Sequence, residues 1–382
     1  MKIAFVAIAD PLDKRVWSGT VFHLYQALER AGHEMIPIGN LKNPYGQLLK
    51  LIRRVVRVTT GKRYLGETEP LVLKNYARQI SRRLRGLDYD VLLACHSQAV
   101  SELKISKPMT FFADATFAVM DGYYESHSNL SLRDIKTMNQ MEARALKRCS
   151  AAFYASDWAS GSAVRDYGAL PDKVHTVPFG ANMECPRTDA DVKQLIRSKE
   201  RDRCHLLFVG LEWARKGGDF AVQVARKMNA NGVATTLHVV GCEPECPAEP
   251  FMKVYGRIDK KTADGKALFD GLFGVAHFLI VPSRTECYGV VFCEAASFGL
   301  PSIATRTGGI PTAVKDGENG FLVELDSDPN SCAEKALGLF EDEGRYIELS
   351  QRTFARYKST LCWEAAARSM GNVLQDLARR SF

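Results

Sequence analysis

No apolar segment of this 382-residue chain approaches the length that a bilayer crossing needs, so the sequence predicts no membrane-spanning helix. The first apolar run, Ile3 to Ala9, is closed by Asp10-Pro11. It is too short and too weakly flanked for a signal peptide and reads as a first β-strand. Paired cysteine spacing is missing as well. The ten cysteines are scattered singly, and Cys95, Cys149 and Cys293 lie inside apolar runs. That usage fits reduced, buried thiols in a cytoplasmic protein rather than a disulfide framework. Cys242 and Cys246 stand four apart in a proline-rich loop with no histidine beside them, a poor zinc set, and no metal is expected.

Charge is modest overall, +7 from 51 basic and 44 acidic residues, but unevenly spread. Between Lys42 and Arg85 twelve Lys and Arg stand against only Glu67 and Glu69, which leaves the remainder slightly acidic. Leu48, Leu51, Ile52, Val55 and Val56 interleave with Lys50, Arg53, Arg54 and Arg57 at helical spacing. Lys74, Arg78, Arg82, Arg83 and Arg85 extend the charge on a second basic helix. A cationic amphipathic helix can lie on anionic lipid, each basic group near the surface contributing about 1 kcal/mol. Equally, it can pack on its own sheet and present a solvated basic face. Nucleic acid is the weakest partner and is not expected, because few aromatics stand among those charges.

The length exceeds one ordinary core and suits two domains. Apolar runs of four to eight residues alternate with longer helix-like stretches, the pattern of βα units on parallel sheets. Strand one is expected to end near Ala9, and Val21, Leu24, Tyr25 and Leu28 then recur at helical spacing up to a closing Gly32. Gly19 therefore lies at a strand-to-helix turn. By spacing alone, an ordinary tight turn explains it better than a phosphate contact. Further strands are expected at 34–39, at 90–95 ending at His96, at 109–112 ending at Asp114, at 151–155 and at 173–178. Ligands of open α/β sheets bind beyond the carboxyl ends of the strands, the side to which His96 and Asp114 belong. For either residue alone, a structural hydrogen bond is the commoner role. The domain boundary falls near Gly180, giving domains over 1–182 and 183–360 and a helix over 361–382 that returns to the first domain.

The alternation restarts with a strand from His205 to Val209 that ends at Gly210. The next loop holds Glu212, Trp213, Arg215 and Lys216, before a helix expected from Asp219, as N-cap, to Asn229. Two adjacent cations before a glycine pair and a helix start suit a diphosphate. Strands at 235–240 and 252–258 follow, the second ending in Gly256-Arg257-Ile258.

The densest stretch runs from 278 to 322. Phe278-Leu279-Ile280-Val281 reads as a buried parallel strand stopped by Pro282. A polar turn with Glu286, a glycine at 289 and an apolar helix pattern carrying Glu294 come next. Strand, turn, glycine and helix start present backbone N–H groups to an anion. A carboxylate cannot hold phosphate, so the partners of Glu286 and Glu294 are expected to be hydroxyl groups of a ribose or sugar beside it. That combination points to a nucleotide sugar. Thr307-Gly308-Gly309 and Asp316-Gly317 to Gly320 read as further turns before a strand at 321–323, with helix from Asp328 onward.

In this order Gly210, Arg215-Lys216-Gly217, Pro282-Ser283, Glu286 and Glu294 eight apart, Gly299-Leu300-Pro301, Gly308-Gly309 and Asp316-Gly317 with Gly320 resemble the family 4 glycosyltransferases. The resemblance spans nearly the whole chain. It implies a GT-B fold, α/β, with two Rossmann-like doubly wound parallel-sheet domains facing each other across a cleft. It also implies a retaining, metal-independent transfer of a sugar from a UDP- or GDP-sugar to a glycan or lipid-linked acceptor, with no cofactor. Glu294 would bind the donor ribose and Glu286 the transferred sugar. The Tyr288, Gly289 and Val290 amides would hold the diphosphate with Arg215 and Lys216, and the backbone at Arg257-Ile258 would meet the base. Gly19 matches the family's first-domain glycine loop, whose amide approaches the same diphosphate. Two departures stand out. Leu211-Glu212 replaces the usual Gly-Arg, so Arg215 would supply the missing cation. Asp114 falls where the family has a histidine near the transferred sugar, and His96 would occupy neighbouring space on the acceptor side. The rival readings are another GT-B enzyme, such as a nucleotide-sugar epimerase or hydrolase, and a sugar-nucleotide-binding protein without turnover. A basic segment on lipid would place the protein at the inner face of the membrane.

Overall fold

The computed structural model describes residues 1–380. The chain divides into two compact units, Met1–Asn182 together with the segment from Trp363 onward, and Met183–Cys362.

Unit 1 is built on six parallel strands: β1 (Lys2–Val6), β2 (Glu34–Ile38), β3 (Val91–Cys95), β4 (Met109–Ala113), β5 (Ala151–Tyr154) and β6 (Val174–Thr176), in the order β2-β1-β3-β4-β5-β6. β3, β4 and β5 are buried along their whole length, as apolar strands covered on both faces must be. β1 stops three residues before the expected Ala9. The chain turns at Asp10, whose carboxylate accepts from the Leu12 amide at 2.9 Å. Helix α1 (Thr20–Arg30) buries Val21, Leu24, Tyr25 and Leu28. The C-terminal helix Trp363–Arg379 packs beside α1, with Arg30 and Glu364 paired at 3.0 Å.

Helix α2 (Gly46–Thr60) turns Leu49, Ile52 and Val56 to the core. Its opposite side keeps apolar residues in water: Leu48, Leu51, Val55 and Val58, spaced three, four and three apart, are 51–79% exposed. Lys50, Arg54 and Arg57 form an exposed stripe along that row, while Arg53 is taken up by the Tyr64 and Leu65 carbonyls at 2.9 Å. Helix α3 (Pro70–Leu84) buries Val72, Leu73, Tyr76, Ala77 and Ile80 and leaves Lys74 and Arg78 exposed.

Unit 2 repeats the design with β7 (Cys204–Val209), β8 (Thr235–Val240), β9 (Met252–Gly256), β10 (Phe278–Val281), β11 (Ser302–Thr305) and β12 (Gly320–Val323), all parallel, ordered β12-β11-β10-β7-β8-β9. β9 ends at Gly256, whose φ of +60° takes the chain out of the ladder before Arg257 and Ile258. The helical tail is three helices, Pro329–Glu341, Glu343–Ser359 and Trp363–Arg379. In each sheet the strand order reverses once, at β1/β3 in unit 1 and at β7/β10 in unit 2. The loops after those four strands border the crevices where open α/β sheets bind ligands.

Candidate active site

In unit 2 the loops after β7, β10 and β11 meet. Beyond Gly210 the chain runs through the one-turn helix Trp213–Lys216 into helix Gly218–Ala230. Trp213 is buried against Phe208, with ring centroids 5.3 Å apart, and its indole donates to Asp219 Oδ1 at 2.8 Å. Asp219 is therefore not the N-cap that the sequence suggests. Gly217 takes that place with φ +77°, and the carboxylate is engaged by the indole. Gly217 also lies against the end of β10, where a Cβ would stand 2.2 Å from the Pro282 carbonyl oxygen. The elbow lays the Lys216 stem along Gly210, where a Cβ would come within 2.7 Å of Lys216 Cγ.

Lys216 Nζ donates to Glu286 Oε2, and the Arg215 guanidinium stands 3.7 Å from the same oxygen. The Lys216 and Glu286 side chains are each only 12% exposed. Arg215 is held by two bonds of 2.9 Å to Glu212, which keep that carboxyl below its usual range, and by a 3.0 Å bond to the Thr285 carbonyl. The Arg284 amide donates to the Arg215 carbonyl at 2.8 Å, and the Gly309 amide to that of Glu286 at 3.1 Å. Three strand-end loops are thus tied by backbone bonds around one lysine. An ammonium has three N–H donors, so the bond to Glu286 leaves others for an anion.

Glu294 lies on the seven-residue helix Val290–Ala296, buried, with Lys260 Nζ at 3.2 Å from its Oε1. Gly289 precedes the helix at φ +86°, and a Cβ there would stand 2.5 Å from the Phe292 ring. Tyr288 is buried and the Val290 amide opens the helix. Arg257 and Ile258 lie past the end of β9, two strands away from β7, and make no bond to the Lys216–Glu286 cluster among the described residues. No group of three or more His, Cys, Asp or Glu among the described residues is placed to hold a metal ion.

Unit 1 brings Gly19 and His96 together through one side chain. Trp17, Ser18 and Gly19 are consecutive left-handed residues, with φ +49°, +55° and +93°. For Trp and Ser that conformation costs about 1–2 kcal/mol each. His96, the first residue after β3, has φ +65° and ψ 153°, a region that suits glycine and costs about 1–3 kcal/mol otherwise. Packing offsets the strain. The Trp17 indole lies 4.3 Å from the His96 ring, stacks on Phe112 at 5.8 Å and meets Phe179 edge-on at 5.4 Å. Burial pushes the His96 imidazole down to about 4, so the ring is neutral near pH 7, and among the described residues it has no hydrogen-bond partner. His96 nevertheless keeps part of its surface open. Asp114, half-buried, follows β4 on the neighbouring strand.

Four participants escape sequence reading. Lys260 sits in a charged loop with no spacing signal to tie it to Glu294. Trp17 is visible only as a neighbour of Gly19. Glu142, buried, accepts from Ser97 Oγ at 2.7 Å and from Tyr154 OH at 2.8 Å, and burial pushes its carboxyl up to about 7. Asn182 bonds to Ser18 across 164 residues, a separation that carries no local pattern.

Residues 203–342 match the family described as glycosyl transferases group 1. D-inositol 3-phosphate glycosyltransferase from Acidothermus cellulolyticus is 31% identical over 229 residues, 56% of this chain and 50% of that protein. The chain spans about half the length of the curated relatives it matches. Sucrose-phosphate synthase from Thermosynechococcus elongatus superposes over 100% of both chains with a TM-score of 0.69 and 17% identity. Anabaena Alr3699/HepE, solved with UDP, superposes over 98% of this chain and 100% of that one, with a TM-score of 0.62 and 15% identity. The same protein was also solved with UDP-glucose.

Proposed function

We propose that this chain, whose residues 203–342 match the group 1 glycosyl transferases and which carries the GT-B fold, is a retaining family 4 glycosyltransferase. It transfers a sugar from a nucleotide-diphosphate sugar, UDP- or GDP-linked, to a glycan or lipid-linked acceptor without a metal. The observation that carries the reading is the Lys216–Glu286 pair with Arg215 beside it, at the switch point of the second sheet. Lys216, Arg215 and the amides of Tyr288, Gly289 and Val290 bind the diphosphate and stabilise the charge that it gains on leaving. Glu286 takes hydroxyls of the transferred sugar, Glu294 those of the ribose, and the backbone at Arg257-Ile258 the base. In unit 1, Gly19 offers its amide to the donor, and His96 and Asp114 serve the acceptor side.

The acceptor oxygen forms its bond to the anomeric carbon on the face from which the diphosphate departs, the bond to the β-phosphate oxygen breaks, and the acceptor proton passes to that oxygen. Little beyond charge stabilisation and close positioning is required. The UDP and UDP-glucose bound by a protein of the same fold support a nucleotide-sugar donor.

The test is incubation with UDP-glucose or GDP-mannose and a panel of sugar and lipid-linked acceptors, with products separated by mass. A glycosylated acceptor with the donor's anomeric configuration is expected. Free or epimerised sugar, or donor binding without turnover, would overturn the assignment.

The α2 surface fits an anionic membrane as the place where a lipid-linked acceptor is met. Its exposed row of Leu48, Leu51, Val55 and Val58 is flanked by Lys50, Arg54 and Arg57, apolar side chains for the acyl boundary beside cations for the headgroups. Co-flotation with phosphatidylglycerol vesicles is expected to be lost with salt and in Leu51→Ser/Val55→Ser. Equal behaviour of anionic and neutral vesicles would leave this face merely solvated.

A further inference from the structure

The chain passes between its units twice, at Asn182–Met183 and at Cys362–Trp363; of the unit 1 residues at these crossings, Asn182 bonds to the Gly19 turn and Trp363 bonds to Asn182. Asn182 is buried. Its Nδ2 donates to the Ser18 carbonyl at 2.9 Å and to Thr20 Oγ1 at 3.0 Å, and its Oδ1 accepts from Trp363 Nε1 at 3.0 Å. An indole nitrogen can only donate, so Trp363 decides which way the Asn182 amide faces. With Oδ1 fixed by the indole, both N–H groups go to the residues on either side of Gly19. The circuit closes through aromatic rings. Trp363 stacks on Phe179 at 5.5 Å, and Phe179 meets Trp17 edge-on at 5.4 Å. The left-handed run Trp17-Ser18-Gly19 has no side-chain cap at its flanking positions, and beside the packing of Trp17 it is tied by the hydrogen bonds of Asn182, more than 160 positions away.

We infer that Asn182 is a positioning residue for the donor: oriented by Trp363, it holds the Trp17–Gly19 turn in the left-handed form that presents the Gly19 amide to the donor's diphosphate. Asn182 touches no substrate and acts only through the turn. The inference rests on the nucleotide-sugar reading above and adds to it two residues, at the chain crossings, that set donor affinity.

The experiment measures UDP affinity by calorimetry, and donor and acceptor KM, for the full chain and for Asn182→Ala, Trp363→Phe, Gly19→Ala and the double variant Asn182→Ala/Gly19→Ala. Asn182→Ala is expected to weaken UDP and raise donor KM about tenfold while acceptor KM stays within about twofold. Trp363→Phe keeps a ring to stack and loses the N–H, and is expected to shift the same two quantities about threefold. The double variant should be no worse than Gly19→Ala alone, because both changes act through one turn. Asn182→Ala with a lowered melting temperature but wild-type UDP affinity and donor KM would overturn the inference, as would additive losses in the double variant. If Asn182→Ala does not fold, an unchanged donor KM in Trp363→Phe overturns it equally. Wild-type protein that binds neither UDP nor GDP would overturn the donor reading, and this inference with it.

Discussion

Unit 2 fastens its strand-end loops with charge, whereas unit 1 fastens its own with backbone strain and stacked rings. After β7 and β10, Lys216, Arg215, Glu286 and Glu212 form one ionic cluster, and Lys260 pairs with Glu294 nearby. After β1 and β3 the groups are a neutral imidazole, an indole and four residues at positive φ. The two arrangements lend themselves to different work. Ion pairs can exchange partners, so an arriving diphosphate can take Lys216 N–H groups without leaving Glu286 unpaired, because Arg215 stands 3.7 Å from it. A strained turn held by packing cannot exchange in that way and instead presents one fixed surface. On the proposed function, charge is placed where charge develops, and rigidity where a backbone amide is to be aimed.

The hardest blow to this contrast is removal of the central cation. Lys216→Ala is expected to lower kcat about 10²–10³-fold, the usual loss for a donor aimed at developing charge. The fold should survive, because Arg215 remains beside Glu286. Steady-state rates alongside circular dichroism check this, and near-normal turnover would take the diphosphate role away from Lys216.

A second pair of variants sharpens the division of labour. Glu294→Gln keeps the volume but removes the charge opposite Lys260, and should raise donor KM about tenfold with kcat little changed. His96→Gln should lower acceptor kcat/KM about tenfold to hundredfold and leave UDP affinity unchanged. Because His96 is neutral above about pH 4, the wild-type rate should show no step near 6.5 from this residue. If Glu294→Gln changes only acceptor kinetics, or His96→Gln only donor kinetics, the two regions do not divide as stated.

The sequence made much of this legible, for physical reasons that differ between the units. β10, the Glu286 turn and Gly289 sit within a dozen residues, so the sequence shows them as one continuous stretch. Arg215 and Lys216 announce themselves as adjacent cations before a glycine pair. Strand ends are harder, since β1 stops at Val6 although the apolar run continues to Ala9, and β9 stops where Gly256 turns to positive φ before Arg257 and Ile258. Asp219 looked like a cap because only its position was visible, and not the indole that claims it. In unit 1 the decisive contacts, Asn182 with Ser18 and Trp17 with His96, join residues far apart in the chain. A residue's backbone strain has no letter of its own: nothing about histidine at position 96 foretells φ +65°.

The smallest expected effect tests whether the contrast extends to how each unit responds to acid. In unit 2, burial lowers His238 to about 4 and His277 to about 3, below the ordinary histidine value. The unfolded chain therefore takes up these protons first as pH falls, and stability is lost from about pH 6.5 down through 4 and 3. In unit 1 His96, lowered to about 4, follows the same sign, and Glu142 reverses it. Glu142 is raised to about 7 by burial, so the folded state holds a proton that the unfolded chain has released above about pH 4.5. Its contribution is present below that pH and is lost as pH rises to about 7. Glu142→Gln keeps a neutral side chain at every pH, with an oxygen still able to accept from Ser97 or Tyr154. Measured against wild type in urea melts, the variant should therefore gain on the order of 2 kcal/mol between pH 4.5 and 7.5. A difference that stays constant across that range would mean that Glu142 titrates as an ordinary carboxylate, and that it does not oppose the sign of the buried histidines.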